Sequence, residues 1–235
     1  MILSNVSVPL LGMVDTGVTG HLESPVYLGA VAIGAMIFSF LYTGVNFLRM
    51  GTTGIAAQSF GADDNDGLRV SLGQASIVAL LIAASLIALQ VPIGRLAMHL
   101  LGPDSETQVY ALEYFSIRVW SAPGTLINYA LIGWFIGLSN ARVPLMIFLT
   151  INLTNIVLDL LFVLVLGMKV DGVALASVFA EYAGLLVGIT YVIRELKKRA
   201  GHWPVPRRVL LAPSRPDACR DVRLGDPAGG GRVGR

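Results

Sequence analysis

The sequence predicts an all-α membrane protein with six transmembrane helices. Of its 235 residues, 54% are hydrophobic and only 14% are charged, and the mean hydropathy is +0.70. Soluble domains are about 45–50% apolar and about 25% charged. The apolar residues form segments near or above the ~20 residues that cross ~30 Å of hydrocarbon. These segments lack the period-two alternation of barrel strands, which favours helices.

The helices are expected in the following order. They cover about residues 1–20, 27–48, 70–101, 109–138, 144–166 and 173–193. The stretch QVPIGR interrupts the third, and Pro123 is expected to kink the fourth. The stretch from Arg49 to Arg69 is predicted to be a loop. Small residues in YLGAVAIGAM and GVALASVFAEYAGLLVG favour close packing of the second and sixth helices.

Basic residues predict the orientation of the helices, because they are enriched in cytoplasmic loops. One set of predicted loops and the end of the sixth helix carry Arg49, Arg69, Arg142, Arg194, Lys197, Lys198 and Arg199. The other loops carry only Arg95 and Lys169. This asymmetry predicts a multi-pass protein in which both ends of the six-helix unit are cytoplasmic.

Residues 200–235 depart abruptly from this pattern, since they are rich in Pro, Gly and Arg and have no helical periodicity. One interpretation is a disordered basic tail that lies against anionic lipid. The other is translation of a GC-rich gene in a wrong frame, which the abrupt change after a normal helix end favours. We therefore expect a six-helix unit over residues 1–199 and a disordered, non-native-looking tail without a function.

Asp15 lies inside the first apolar segment, where an aspartate costs about 2.5–3.5 kcal/mol at the bilayer centre. Two interpretations remain open. The helix could end early, near residues 16–20, so that water reaches the carboxylate. Alternatively, Asp15 is a protonatable group that lines an internal cavity, where burial favours the neutral acid.

The fifth segment carries a polar stripe. Asn155 and Asp159 are four residues apart and share a helix face, which Asn152 extends. Such a stripe faces the bundle interior or a cavity, as a binding site or as structural glue between helices. Ser177 in the sixth segment adds a hydroxyl that could complete the network, and Glu181 is a possible second titratable group.

Other function classes find little support in the sequence. It contains no Walker-type nucleotide-binding motif, and its single cysteine, Cys219, belongs to no metal-binding pattern. No HExxH, paired-Asp or protease-like Ser/His signature lies in the apolar segments, so we expect no enzyme. Glu113 and Arg118 are interpreted as a structural pair, with each other or with loop residues. No nucleic-acid partner is expected.

Three stretches carry a resemblance to a known family. PLLGMVDTGVTGHLESPVYLGAVAIGAM, FLRMGTTGIAAQSFGA and NLTNIVLDLLFVLVLGMKVDGVALASVFAEY resemble the multidrug and toxic compound extrusion (MATE) transporters, and within them the DinF (DNA-damage-inducible protein F) subfamily. The resemblance implies a bacterial inner-membrane antiporter that exports drug-like, often cationic or amphipathic compounds in exchange for H⁺ or Na⁺. It also implies that the coupling network consists of Asp15, Asn155, Asp159 and Ser177. It implies no cofactor apart from the coupling ion. Ser177 stands where a threonine is expected.

The resemblance also implies a twelve-helix fold with two six-helix lobes, of which this sequence matches the N-terminal one. The family's first helix begins earlier than Met1 and carries a proline there, and the C-terminal lobe has no counterpart here. Because alternating access needs two repeats, we expect a truncated or frameshifted half-length protein that is inactive alone. The alternatives are a half-transporter that works as a homodimer and a non-transporting membrane scaffold.

Overall fold

The computed structural model describes residues 25–199, which are almost entirely helical. The helices are α1 (Pro25–Val45), α2 (Phe47–Gly61), α3 (Asn65–Ala88), α4 (Gln90–Leu101), α5 (Ser105–Arg118), α6 (Ala122–Gly137), α7 (Arg142–Asp159) and α8 (Val170–Lys198). A 3₁₀ turn (Val119–Ser121) joins α5 to α6, and a π-helical segment (Leu160–Val165) follows α7. The predicted first helix, with Asp15, and the predicted tail lie outside the described residues.

Four helices of the described part are long and apolar enough to cross a membrane. They are Pro25–Gly61, which combines α1 and α2, Asn65–Ala88, Arg142–Val165 and Val170–Lys198. The predicted all-α membrane protein is therefore confirmed. The predicted fourth span differs, because the turn at residues 119–121 divides it into α5 and α6.

The predicted loop between the second and third helices is wrong over most of its length. The chain stays helical to Gly61, so Arg49 lies inside α2 rather than in a loop. Two threonines fit this helix because their hydroxyls donate to carbonyls one turn earlier. Thr52 bonds to Leu48 at 2.7 Å, and Thr53 bonds to Arg49 at 2.8 Å.

Pro123 accounts for the interruption between α5 and α6. It lies in the first turn of α6, where its missing N–H is tolerated. The three residues before α6 form the 3₁₀ turn, and the Tyr182 hydroxyl donates to the carbonyl of Trp120 within this turn at 3.0 Å. Arg118 therefore lies at the end of α5, inside the helical bundle.

Helix α6 forms the centre of the fold. It packs against α2, α3 and α8, and Leu126, Trp134 and Phe135 are fully buried in it. The Trp134 indole N–H donates to the carbonyl of Leu68 at 3.0 Å, so its one polar group is satisfied. A helix that is apolar on all sides is typical of a bundle core.

Close contact between α2 and α6 depends on Gly133. A Cβ atom on this residue would lie 2.4 Å from the carbonyl oxygen of Arg49, so backbone would have to move. We expect Gly133→Ala to lower the free energy of unfolding by about 1–3 kcal/mol, the usual cost of overpacking. Thermal unfolding in detergent measures the loss of stability, as a lower unfolding temperature of the variant.

Gly51→Ala is the matched control for Gly133→Ala, because Gly51 is exposed on α2 and has no atom within 4 Å of its Cβ position. It should be neutral, or stabilise the helix by up to about 1 kcal/mol. Equal losses in both variants would contradict the packing argument.

Arg69 ties the start of α3 to the end of α8. This buried guanidinium donates from Nη2 to the carbonyl oxygens of Leu196 and Arg199, each at 3.0 Å. Cations are favourable at helix C-termini because they bond the last carbonyls and oppose the negative end of the helix dipole. The contact places the basic end of α8 beside the start of α3.

Asp104 is the last residue of the short connection between α4 and α5, and it caps the start of α5. Its carboxylate accepts hydrogen bonds from the Thr107 N–H at 2.9 Å, the Thr107 hydroxyl at 2.8 Å and the Glu106 N–H at 3.1 Å. These bonds, led by those of Thr107, hold the pKa of Asp104 below its usual value of 3.8.

The lowered pKa of Asp104 predicts a pH-dependent contribution to stability. A carboxyl whose pKa is lower in the folded state stabilises above its unfolded pKa, and this contribution disappears as the pH falls through the folded pKa. We expect Asp104→Ala to lower the unfolding temperature at neutral pH and to matter less in strong acid. Asp104→Asn, which keeps an acceptor but does not titrate, serves as control. A loss that is equal at both pH values would contradict the prediction.

Candidate functional site

Helix α7 turns its polar stripe into the bundle. Asn155 and Asp159 are only 2% and 0% exposed, whereas Leu153 and Val157 on the other face are 65% and 54% exposed. The polar face packs against α8, which is the principal neighbour of α7. The sequence pattern predicts this inward orientation, and the structure has it.

Ser177 on α8 joins this stripe. It is 7% exposed, and the Asn155 side-chain amide donates to its hydroxyl oxygen at 3.5 Å, the outer limit for a hydrogen bond. Asn155, Asp159 and Ser177 are therefore all buried on the facing sides of α7 and α8. We refer to these three residues as the polar cluster.

Arg118 is the unexpected member of the site. Its Nη1 donates to the Ser177 hydroxyl at 2.9 Å and also to the Tyr114 hydroxyl. The guanidinium lies 5.5 Å from the ring centres of Phe38 and Tyr114, within range of a cation–π interaction. The sequence interpretation, which gave Arg118 a structural partnership with Glu113 or loop residues, missed this contact with Ser177. Glu113 itself is exposed.

Glu181 lies one helical turn after Ser177 on α8 and is partly buried. The amide of Asn128, on α6, donates to both the side chain and the backbone carbonyl of Glu181, at 3.0 Å each. The Glu181 carboxylate is also within electrostatic reach of Arg118. A second ionisable group is thus placed close to the polar cluster, with Arg118 near both.

A cleft of about 360 Å³ lies beside this network. Arg118 forms part of its wall together with Arg49 from α2 and Tyr42 from α1. The Tyr42 hydroxyl lies 3.3 Å from the Ser121 hydroxyl in the 3₁₀ turn. Arg118 therefore touches the buried polar cluster through Ser177 and also lines this cleft.

Two further residues of the predicted site are Asp15 and Asn152. Asp15 lies outside the described residues. Asn152 is partly buried and makes no side-chain hydrogen bond within residues 25–199. Over the same range, three or more His, Cys, Asp or Glu side chains never come together as a metal site. Arg118 and Asn128 could have been found from the sequence, since each is a polar residue in an apolar segment.

The backbone changes its hydrogen bonding directly after Asp159. Residues 160–165 form a π-helical segment, in which the Leu166 N–H bonds to the Leu161 carbonyl at 3.0 Å. Such segments insert a residue into a helix and are frequent at functional sites. The inserted residue lies between the polar face of α7 and the connection to α8.

The family model MatE matches residues 1–161, which is well over half of the chain. This chain belongs to the MatE family. The resemblance inferred from sequence motifs is therefore confirmed. Among curated relatives of this MatE chain, DNA damage-inducible protein F of Escherichia coli is 47% identical over 199 residues, which are 85% of this chain and 43% of the relative. A probable multidrug resistance protein NorM of Bacillus subtilis is 29% identical over 165 residues, 68% of this chain and 35% of the relative.

Solved structures show the same fold. A MOP superfamily transporter from Pyrococcus furiosus has a TM-score of 0.76 and 21% identity, covering 87% of the MatE chain and 46% of that protein. An outward-facing MATE family transporter also has a TM-score of 0.76, with 20% identity, covering 93% of this chain and 50% of that protein. The MatE chain thus spans half or less of the length of the curated relatives it matches.

Proposed function

We propose that this MatE chain is the coupling-site lobe of a secondary antiporter that exports drug-like compounds in exchange for protons. One observation carries the proposal: a buried carboxylate, Asp159, shares the polar cluster with Asn155 and Ser177 between two helices long enough to span a membrane. Polar and ionisable groups in such positions are costly and typically mark ion or substrate pathways. Transport, rather than enzymatic chemistry, is also the function of the family.

Protons are favoured over Na⁺ as the coupling ion because of Arg118. Its guanidinium donates to the Ser177 hydroxyl, an oxygen that a sodium ion at the polar cluster would use as a ligand. A permanent positive charge at this distance also repels a second cation in a medium of low dielectric. A proton avoids this competition, since it binds covalently to a carboxylate and neutralises it.

The proposed cycle begins with Asp15 deprotonated in the state that accepts a cationic or polar substrate. The Asn155 amide and the protonated carboxyl of Asp159 then donate hydrogen bonds to the Asp15 carboxylate. A proton from outside then neutralises Asp15, the first helix rearranges, and the substrate leaves outward. Coupling arises only because the proton binds the two conformations with different affinity. Glu181 provides a second proton-binding group beside Arg118.

The proposed location is the inner membrane of a bacterium, with both ends of the helical unit in the cytoplasm. The positive charge at the ends of α3 and α8 supports this orientation, because Arg69 and Arg199 meet there. The proposed substrate class follows that of relatives, which include a probable multidrug resistance protein. Alternating access also needs a second repeat, which we propose to be a C-terminal lobe or, alternatively, a second copy of this chain.

A chimera tests this function. Residues 1–199 are joined to the remainder of the Escherichia coli relative, and the product is expressed in bacteria that lack their own drug exporters. We expect the chimera to protect against cationic, amphipathic compounds and to expel a fluorescent cationic dye when a proton gradient is imposed. The 235-residue chain alone and an empty vector are measured beside it.

Each outcome has a distinct meaning. If the chimera protects and the 235-residue chain does not, the lobe needs its partner lobe. If the 235-residue chain protects without any added lobe, a homodimeric half-transporter is supported. Correct membrane insertion of both proteins without protection or dye efflux would overturn the transport proposal and leave a membrane scaffold.

A further inference from the structure

A second cavity lies at the basic end of the bundle, away from the polar cluster. It measures about 540 Å³ and is formed where α7 begins and α8 ends. Its rim carries Arg142, Arg194, Lys197 and Lys198, and the buried side chains of Phe135 and Val143 contribute to its base. We call this cavity the basic pocket.

The charges of the basic pocket do not balance. Among the described residues, Glu195 is the only acid on its wall. The Glu195 carboxylate already accepts two hydrogen bonds from Arg199, at 2.9 and 3.1 Å, and lies 3.6 Å from the Lys198 ammonium. Within residues 25–199, the salt bridges are confined to these two partners of Glu195. Arg142, Arg194 and Lys197 therefore present positive charge to the pocket, and its ligand should be anionic.

The pocket continues into an apolar surface. Met146 lines the pocket, and Leu149 and Leu153 follow it on the same face of α7, at helical spacings of three and seven residues. All three side chains are exposed, as is Leu186, which lies two turns before Arg194 on α8. A ligand that fits both regions has an anionic head and long apolar chains.

We propose that the basic pocket binds the phosphate group of an anionic glycerophospholipid, whose acyl chains lie along α7 and α8. Guanidinium groups match phosphate oxygens in pairs, and Arg142 and Arg194 bring two of them to one cavity from different helices. Basic pockets between transmembrane helices are suited to such head groups. The proposal is independent of transport, since it uses none of the residues of the polar cluster.

Lipid binding is measured on the full 235-residue protein purified in a neutral detergent. Phosphatidylglycerol or phosphatidylcholine is titrated in, and bound lipid is counted by native mass spectrometry while thermal unfolding is followed in parallel. We expect phosphatidylglycerol to bind more tightly. Arg142→Gln and Arg194→Gln should each weaken its binding about fivefold, as expected for one cation near a lipid surface, and the effect should shrink at high salt.

Matched variants separate the pocket from charge in general. Arg95→Gln removes an equal charge from an exposed position on α4 and should leave lipid binding unchanged. Arg142→Lys and Arg194→Lys keep the charge but lose the paired hydrogen bonds, so they should weaken binding less than the glutamine variants do. The basic residues beyond Arg199 are identical in all variants, so they do not contribute to the differences.

Three results would overturn the proposal. The first is equal binding of phosphatidylglycerol and phosphatidylcholine. The second is an equal effect of Arg95→Gln and the two pocket variants. The third is competition in which water-soluble glycerol phosphate binds as tightly as the lipid, which would identify the ligand as a free phosphate compound.

Discussion

Asp159→Asn in the chimera is expected to reduce proton-driven efflux by about a hundredfold, toward the upper range of measured coupling factors. Asparagine has the shape of aspartate but cannot take up or release a proton, so the buried polar cluster would keep its packing and lose its titratable group. Asp15→Asn is expected to have the same effect. Dye efflux from vesicles with an imposed pH gradient measures both.

Asp66→Asn is the control for Asp159→Asn. Asp66 is exposed in the first turn of α3, so its replacement removes an equal charge without touching the polar cluster. Normal efflux is expected in this variant. If Asp159→Asn retained full pH-driven efflux in a correctly inserted chimera, the Asp159 carboxyl would have no part in coupling.

Arg118→Gln is expected to change the ion that the chimera responds to. The neutral side chain no longer places a fixed cation 2.9 Å from the Ser177 hydroxyl, so a sodium ion can approach the carboxylate and hydroxyl oxygens of the polar cluster. We expect a sodium gradient to have no effect on the unmodified chimera and to accelerate efflux about tenfold in the variant. Efflux is measured with sodium and proton gradients imposed separately.

Two further variants test whether the charge of Arg118 is responsible. Arg118→Lys keeps a cation and should stay insensitive to sodium. Tyr114→Phe removes the other hydroxyl that Arg118 contacts, so it reports the structural part of the interaction. Sodium insensitivity in Arg118→Gln would show that the guanidinium does not determine the coupling ion, whereas a sodium response in Arg118→Lys would exclude the charge argument.

The apolar segments predicted the helices well, because burial in lipid requires long runs of apolar residues. They predicted the ends of the helices less well. Arg49 and the threonines after it read as a loop, yet Thr52 and Thr53 satisfy their hydroxyls within α2. Hydropathy alone does not reveal such local bonds, so the predicted second helix ended too early, at about residue 48 rather than at Gly61.

The polar cluster was partly predictable for a related reason. Asn155 and Asp159 are four residues apart, and this spacing determines their shared face on any helix. The contact between Arg118 and Ser177 joins residues 59 positions apart, on helices whose relative placement depends on Pro123 and the packing of α6. Periodicity within one segment carries no information on such a contact.

The π-helical segment after Asp159 has a consequence for the tolerated length of the chain. The extra residue of a π-helical turn shifts the side chains that follow it around the helix axis by about 100°, the angle between successive residues of an α-helix. The connection between Asp159 and α8 therefore contains one residue more than a regular α-helix would need. Deleting a single residue from 160–165 should restore regular α-helix and leave Asp159 facing Ser177, because the non-helical residues 166–169 can take up the rotation before α8 begins.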